Sequence, residues 1–150
     1  MLYALGLSRR VGELEKSISY VIALADELKY TLAPIDRIVA RLAGRGEYAD
    51  LSFVGGCARR CSGGLRFEQA FEQALLDEKT ALKQDDILTL LPLAQVLGAV
   101  DIEGQLSALA LSRSLLDQRL EQAREERRTY SRLYSTLGLL SGAAIAIVLL

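Results

Sequence analysis

The sequence has no histidine and no tryptophan, two prolines and two cysteines. Histidine titrates near neutrality and serves most catalytic triads, Cys-His dyads and zinc sites, so its absence argues against several enzyme classes at once. Cys57 and Cys61 stand four apart and fall short of the multi-bridge framework of a small secreted domain, so the bulk of the chain is expected to face a reducing cytoplasm. Neither sign of charge is in excess. Eighteen Lys and Arg stand against 19 Asp and Glu, which leaves no overall field to draw the chain to nucleic acid, and any electrostatic role must be local. No secretory signal is expected from the apolar opening "MLYALGL", because Arg9 and Arg10 end it with no small-residue cleavage site before them.

What remains is a chain of 150 residues, the size of one domain, that is 51% hydrophobic and rich in Leu, Ala, Glu, Gln and Arg. These residues lose little on entering a helix, and the mixture predicts an all-α fold. Between Arg9 and Tyr30, Val11, Leu14, Ile18, Val21, Ile22, Ala25 and Leu28 recur at steps of three and four, one stripe of a helix. Thr31 and Pro34 are placed to open a second helix that buries Ile35, Ile38, Val39 and Leu42 before Gly44 and Gly46. A third is expected over Tyr48 to Cys61, weakened by Gly55 and Gly56. A fourth buries Phe67, Phe71, Ala74 and Leu75. A fifth, opened by Asp85 and Asp86, is expected to kink or break at Pro92, and Gly98 suits the left-handed residue that follows a helix.

Asp101 then caps the longest segment. Ile102, Leu106, Leu109, Leu116, Leu120 and Ala123 form a narrow seam interrupted at Arg113, and beyond it the same steps fall on Arg127, Tyr130 and Tyr134, where the helix is expected to leave the bundle. An unbroken helix from Asp101 to Leu150 would be roughly 75 Å long, more than a small domain can surround. Its last eighteen residues, "LYSTLGLLSGAAIAIVLL", carry no charge and would span ~27 Å, close to the hydrocarbon thickness of a bilayer. Tyr130 and Tyr134 stand where an interfacial belt would lie. The arginines Arg124, Arg127, Arg128 and Arg132 place the preceding side in the cytoplasm. Gly138 and Gly142 form a G-x-x-x-G that would admit another transmembrane helix.

Candidate sites are few. "GGCARRCSGG" is glycine-rich and basic but lacks the G-x-x-x-x-G-K-[ST] of a phosphate loop. Cys57 and Cys61 could supply two zinc ligands, with completion only between subunits, or be small buried apolar residues. Arg59 and Arg60, with Arg127 and Arg128, are candidate contacts for an acidic partner or lipid headgroups, with a solvated helix edge as the other reading of Arg59 and Arg60. The pairs Asp85 and Asp86, and Glu125 and Glu126, are explained by helix-start electrostatics and a solvated face. No nucleophile has a base nearby, so no catalysis, cofactor, metal or small-molecule substrate is expected. With no aromatic platform among the arginines, no nucleic acid is expected either.

The second half of the chain, Ala81 to Leu150, resembles the stage III sporulation protein AB family of endospore-forming bacteria. The resemblance is carried by an acidic residue opening a helix (Asp86), a Leu-Gly followed by Asp and Gln (Leu97, Gly98, Asp101, Gln105), a long charged helix, and a Leu-Gly-x-x-x-Gly tail (Leu137, Gly138, Gly142) with an apolar end. "ELKYTLAPIDRIVARLA" and "FEQAFEQAL" match the family's second and fourth helices more loosely. The resemblance implies a six-helix bundle similar to the cytoplasmic domains of type II secretion platform proteins. It also implies a place in the mother-cell membrane around the forespore, within a channel complex of stage III sporulation A proteins that includes their ATPase. Family members usually begin with a transmembrane helix, so residues 1–8 are expected to be its remnant or substitute. Residues 9–132 would form the cytoplasmic bundle and 133–150 the C-terminal transmembrane helix. A tail-anchored helical adaptor or signalling protein is the alternative.

Overall fold

Steps of three and four between apolar residues require each helix to bury one stripe, and the architecture follows from which stripes meet. In the computed structural model, which describes residues 2–149, the elements are α1 (Leu2–Thr31), α2 (Ile35–Ala43), a 3-10 turn (Gly46–Tyr48), α3 (Ser52–Ser62), α4 (Phe67–Asp77), α5 (Gln84–Leu90), α6 (Leu93–Val96) and α7 (Ile102–Leu149). No strand occurs among the described residues. Pro92 separates α5 from α6, where the predicted fifth helix breaks. Its ring removes a backbone donor, and the chain turns with Ala94 N–H donating to the Leu91 carbonyl instead. Counted as one broken element, α5 and α6 bring the bundle to six helices.

The long helices α1 and α7 run antiparallel. Leu28 and Gln105 flank one end of the pair, Val21 and Leu109 meet near the middle, and Tyr3 lies against Tyr130 at the other end with ring centroids 4.8 Å apart. The 3-10 turn, α3 and α4 join α1 through an aromatic chain, while α2 packs against α1 and α3. Tyr20 of α1 meets Tyr48 and Phe53 edge-on at 5.3 and 5.8 Å, Phe53 meets Phe71 at 6.1 Å, and Phe71 stacks on Phe67 at 5.3 Å. Each such pair contributes about 0.5–1.5 kcal/mol beyond its buried area. Leu14, Leu24, Ile38, Leu42, Leu51, Leu90 and Leu116 fill the space around it.

Several elements differ from expectation for identifiable reasons. Helix α1 begins at Leu2, because Leu7 is buried and continues the stripe one turn before Val11. Thr31 closes α1 and does not open α2: its hydroxyl donates to the Glu27 carbonyl at 2.6 Å and accepts from Ala33 N–H at 3.3 Å. The seam of α7 is Gln105, Leu109, Ser112, Leu116, Leu120 and Ala123, while Ile102 is partly exposed at the bundle's end. The apparent interruption at Arg113 disappears because Ser112 occupies the seam, its hydroxyl donating to the Thr89 carbonyl at 3.0 Å.

Candidate functional site

Three clusters lie along the α1 and α7 pair: an ionic clasp, a turn with a cleft at one end, and the departure of α7 at the other. The clasp is built on Asp86, fully buried at the start of α5. Its carboxylate accepts from the Lys83 backbone N–H at 2.9 Å, from Arg10 Nε and Nη2 at 2.8 and 3.0 Å, and from Arg119 Nε at 3.0 Å. Arg10 is only 3% exposed and turns its remaining nitrogen to Glu126 at 3.1 Å. Glu126 also accepts from Lys83 Nζ at 3.2 Å and from the Tyr3 hydroxyl at 3.1 Å, and Arg119 reaches Asp85 at 3.7 Å. Three cations thus meet three carboxylates across α1, α7 and the start of α5.

Burial alone would push the Asp86 carboxyl upward, but hydrogen bonds from Arg10, Arg119 and Lys83 N–H outweigh it and hold the group below the usual carboxylate range. Glu126 shows the same balance, with burial opposed by Lys83 and Tyr3. Hydrogen bonding to Asp86 raises Arg10 in return. A carboxylate held ionised with its oxygens already occupied is poorly placed to exchange protons. The arrangement suits holding three helices in one register.

The clasp was missed in the sequence because its members are 76 and 33 residues apart and each resembles a surface charge. A signal was nevertheless present. Arg10 lies on the apolar stripe between Leu7 and Leu14, and Arg119 and Glu126 follow Leu109, Ser112, Leu116 and Ala123 at steps of three and four. Opposite charges on two apolar stripes are the pattern of a buried ion pair. Glu126 therefore belongs to the clasp and not to a solvated face, and the polar continuation of the seam runs through Glu126 and Tyr130 rather than Arg127.

At the other end, Leu97, Gly98, Asp101 and Gln105 form one turn. Gly98 adopts φ +81°, and a Cβ there would lie 2.8 Å from Ile35 Cγ2, so glycine is required twice over. Its N–H donates to Gln105 Oε1 at 3.1 Å, while Gln105 Nε2 donates to the Val100 carbonyl at 2.8 Å. Asp101 caps α7 by accepting from Gly104 N–H at 3.1 Å, and Leu97 is buried. Beside this turn, Leu28, Leu32, Ile35, Leu65 and Ile102 line an open cleft of about 510 Å³, with Asp36 and Arg66 also on its wall. Leu32 holds φ +54° with its side chain 75% exposed, a strained conformation for a residue with a Cβ.

Arg59 and Arg60 on α3 converge on Glu78 at 3.0 and 2.9 Å, and Arg60 also donates to the Gly56 carbonyl. The hydrogen bond from Arg60 lowers the Glu78 carboxyl, with Arg59 adding to it. A Cβ on Gly56 would meet the Glu78 side chain at 2.5 Å, so that glycine makes room for the ion pair. Cys57 is fully buried and burial pushes its thiol upward, which makes it an apolar core residue.

At the departure, Tyr130 stacks toward Tyr134 at 6.3 Å, and every described residue from Ser131 to Leu149 is exposed. Leu137, Gly138 and Gly142 lie on this extension, and, the adjoining turns of α7 aside, nothing stands within 4 Å of a Cβ built on either glycine. Arg127 and Arg128 precede it, with Arg128 paired to Glu125 at 2.9 Å. Helix α7 is long and apolar enough to cross a membrane. Of the residues singled out in the sequence, Leu97, Gly98, Asp101 and Gln105 thus come together. Asp86 lies in the clasp near the opposite end, and the tail glycines project beyond the bundle.

No curated protein matches the chain in sequence. In fold it is similar to a solved structure of stage III sporulation protein AB, with a TM-score of 0.68 at 16% identity over 81% of this chain and 98% of that one. The family model for stage III sporulation protein AB matches residues 1–150. The chain therefore belongs to the stage III sporulation protein AB family.

Proposed function

We propose that this chain is a non-enzymatic membrane-platform component of the stage III sporulation channel complex between mother cell and forespore, working with the ATPase of that complex. The observation that carries the reading is the form of α7. One continuous helix supplies the seam of the bundle and then runs on as an uncharged, wholly exposed segment from Leu133. Exposed side chains of that composition are costly in water and favourable in hydrocarbon. At ~1.5 Å per residue the extension is long enough to cross most of a bilayer.

The bundle, residues 9–132, then faces the mother-cell cytoplasm, on the side where Arg124, Arg127, Arg128 and Arg132 are retained. Tyr130 and Tyr134 lie at the membrane surface, and the first turns of α1 reach the same level because Tyr3 lies on Tyr130. Because the clasp ties α1 and the start of α5 to α7, a displacement of the bundle by a cytoplasmic partner is passed to the membrane helix without a flexible link. The part is mechanical and needs no catalytic group.

Membrane fractionation of the full chain and of a version ending at Arg132, with protease treatment of inside-out vesicles and of right-side-out spheroplasts, tests the reading. The full chain alone should be membrane-bound, its N-terminal tag lost only in the inside-out vesicles, and affinity capture should then recover the ATPase. A full chain that stays soluble, with Leu133 to Leu150 protected in a folded monomer, would remove the physical basis of the proposal.

A further inference from the structure

Where α7 leaves the bundle, a cleft of about 510 Å³ opens between it and the first turns of α1. Arg127 and Arg128 stand on its wall with the hydroxyls of Ser8, Ser131, Tyr134 and Ser135, and no carboxylate lines it. The neighbouring cleft across the same helix pair carries Glu125, Glu126 and Tyr3, so charge divides between the two sides of the seam. Arg128 shares its charge with Glu125 at 2.9 Å, whereas Arg127 lies within 4 Å of no carboxylate among the described residues. Ser135 and Tyr134 at the lip continue directly into the uncharged exposed face of α7.

From this geometry we infer that the cleft binds the phosphate of an anionic phospholipid, with Arg127 as its principal ligand, Arg128 and the serine hydroxyls beside it, and the acyl chains running along α7 beyond Leu133. Guanidinium groups match phosphate geometry with paired donors, and hydroxyls complete the shell. The placement of charged ligands at the lip and apolar surface below it matches a lipid molecule and not a free anion. The inference rests on the membrane reading of α7, since only a bilayer brings chains to that face.

Each arginine near an anionic surface contributes about fivefold in affinity. The test uses the full chain in detergent micelles, with retained lipid counted by native mass spectrometry after mixing with equal phosphatidylglycerol and phosphatidylcholine. Wild type should retain phosphatidylglycerol preferentially, and Arg127→Gln with Arg128→Gln should reduce that preference roughly 5- to 25-fold. Arg37→Gln with Arg113→Gln, which changes the charge equally on exposed residues away from the cleft, should leave it intact, and circular dichroism should show both variants folded. Equal retention of the two lipids by wild type, or equal losses in the two variants, would overturn the inference. So would displacement of the lipid by millimolar inorganic phosphate, which would mark a free-anion site. Flotation with neutral liposomes separates the two levels: a chain that floats without a phosphatidylglycerol preference refutes the headgroup site alone, and one that never floats refutes the membrane reading with it.

Discussion

Replacing Asp86 by Asn removes one negative charge from a site where Arg10 is 3% exposed and Asp86 itself wholly buried. The shape is nearly unchanged, and the amide oxygen still accepts from Lys83 N–H, so the cap on α5 survives. The loss is electrostatic: Arg10 and Arg119 lose their shared counter-ion, and the new amide nitrogen presents a donor to donors. Removing one partner of a buried ion pair costs about 3–5 kcal/mol. Two features place this case at the lower end, about 3 kcal/mol: Arg10 keeps Glu126 at 3.1 Å, and Arg119 is 23% exposed and reaches water and Asp85. For a domain with ~5–15 kcal/mol in total this is a large share, and it lowers Tm by about 6–12 °C.

Urea unfolding of the full chain in detergent, followed by helical ellipticity at neutral pH, measures the change relative to wild type under the same conditions. The companion variant Arg10→Met, Asp86→Leu, Arg119→Met removes the buried charges together. It forfeits the side-chain cap on α5, worth about 1 kcal/mol, but leaves no uncompensated ion. It should therefore unfold within about 2 kcal/mol of wild type, since apolar replacement of a buried ion cluster is often neutral or better. A single variant within about 1 kcal/mol of wild type, or a triple variant that falls as far as the single, would refute the reasoning, because the cost would not arise from a charge left without its partner.

Three further outcomes are expected. Stability should hold from neutral pH to about 5 and fall below about 4, because Asp86, Glu126 and Glu78 have depressed folded pKa values. Such groups stabilise the fold above their unfolded pKa and lose that contribution as pH falls through the folded one; acid titration of Asp86→Asn should show a shallower decline. Gly98→Ala should cost about 2 kcal/mol or more by thermal unfolding, from the positive φ together with the approach to Ile35. Leu32→Asn should raise stability by up to about 1 kcal/mol, since asparagine tolerates the left-handed region and the leucine side chain is 75% exposed; a lower Tm would mean that the leucine packs against its surroundings.

The helical class, the break at Pro92, the left-handed Gly98 and the apolar end of α7 were legible because each depends on residues close in the chain. The ends of elements were less so. Thr31 has the right side chain for an N-cap, yet its hydroxyl closed the preceding helix, and both uses satisfy backbone groups equally well from sequence alone. Ile102 was expected in the core because its spacing fits the seam, but α1 ends near that level and little remains to cover it. Arg59 and Arg60 read as a solvated helix edge or a basic patch, and their shared partner Glu78 lies 19 and 18 residues away in the chain. Charges were the least legible class, since burial is set by the partner helix and not by neighbours in sequence.

The position of the clasp bears on why a buried charge cluster is kept at all. The apolar seam between α1 and α7 is made of leucines, valines, alanine and small polar residues, and knobs of similar shape would still fit if one helix slid by a turn of ~5.4 Å. The ion pairs would not. A slide of that size would carry Arg119 away from Asp86 and Arg10 away from Glu126, leaving buried charge unpaired at a cost of several kcal/mol. Asp86 also caps α5 through Lys83 N–H, so a slip that drew it after the arginines would loosen α5 as well. The clasp therefore acts on register more than on net stability. It lies within a few turns of Tyr134, where α7 passes out of the bundle, so the register it fixes also sets how far the apolar extension of α7 projects from the bundle.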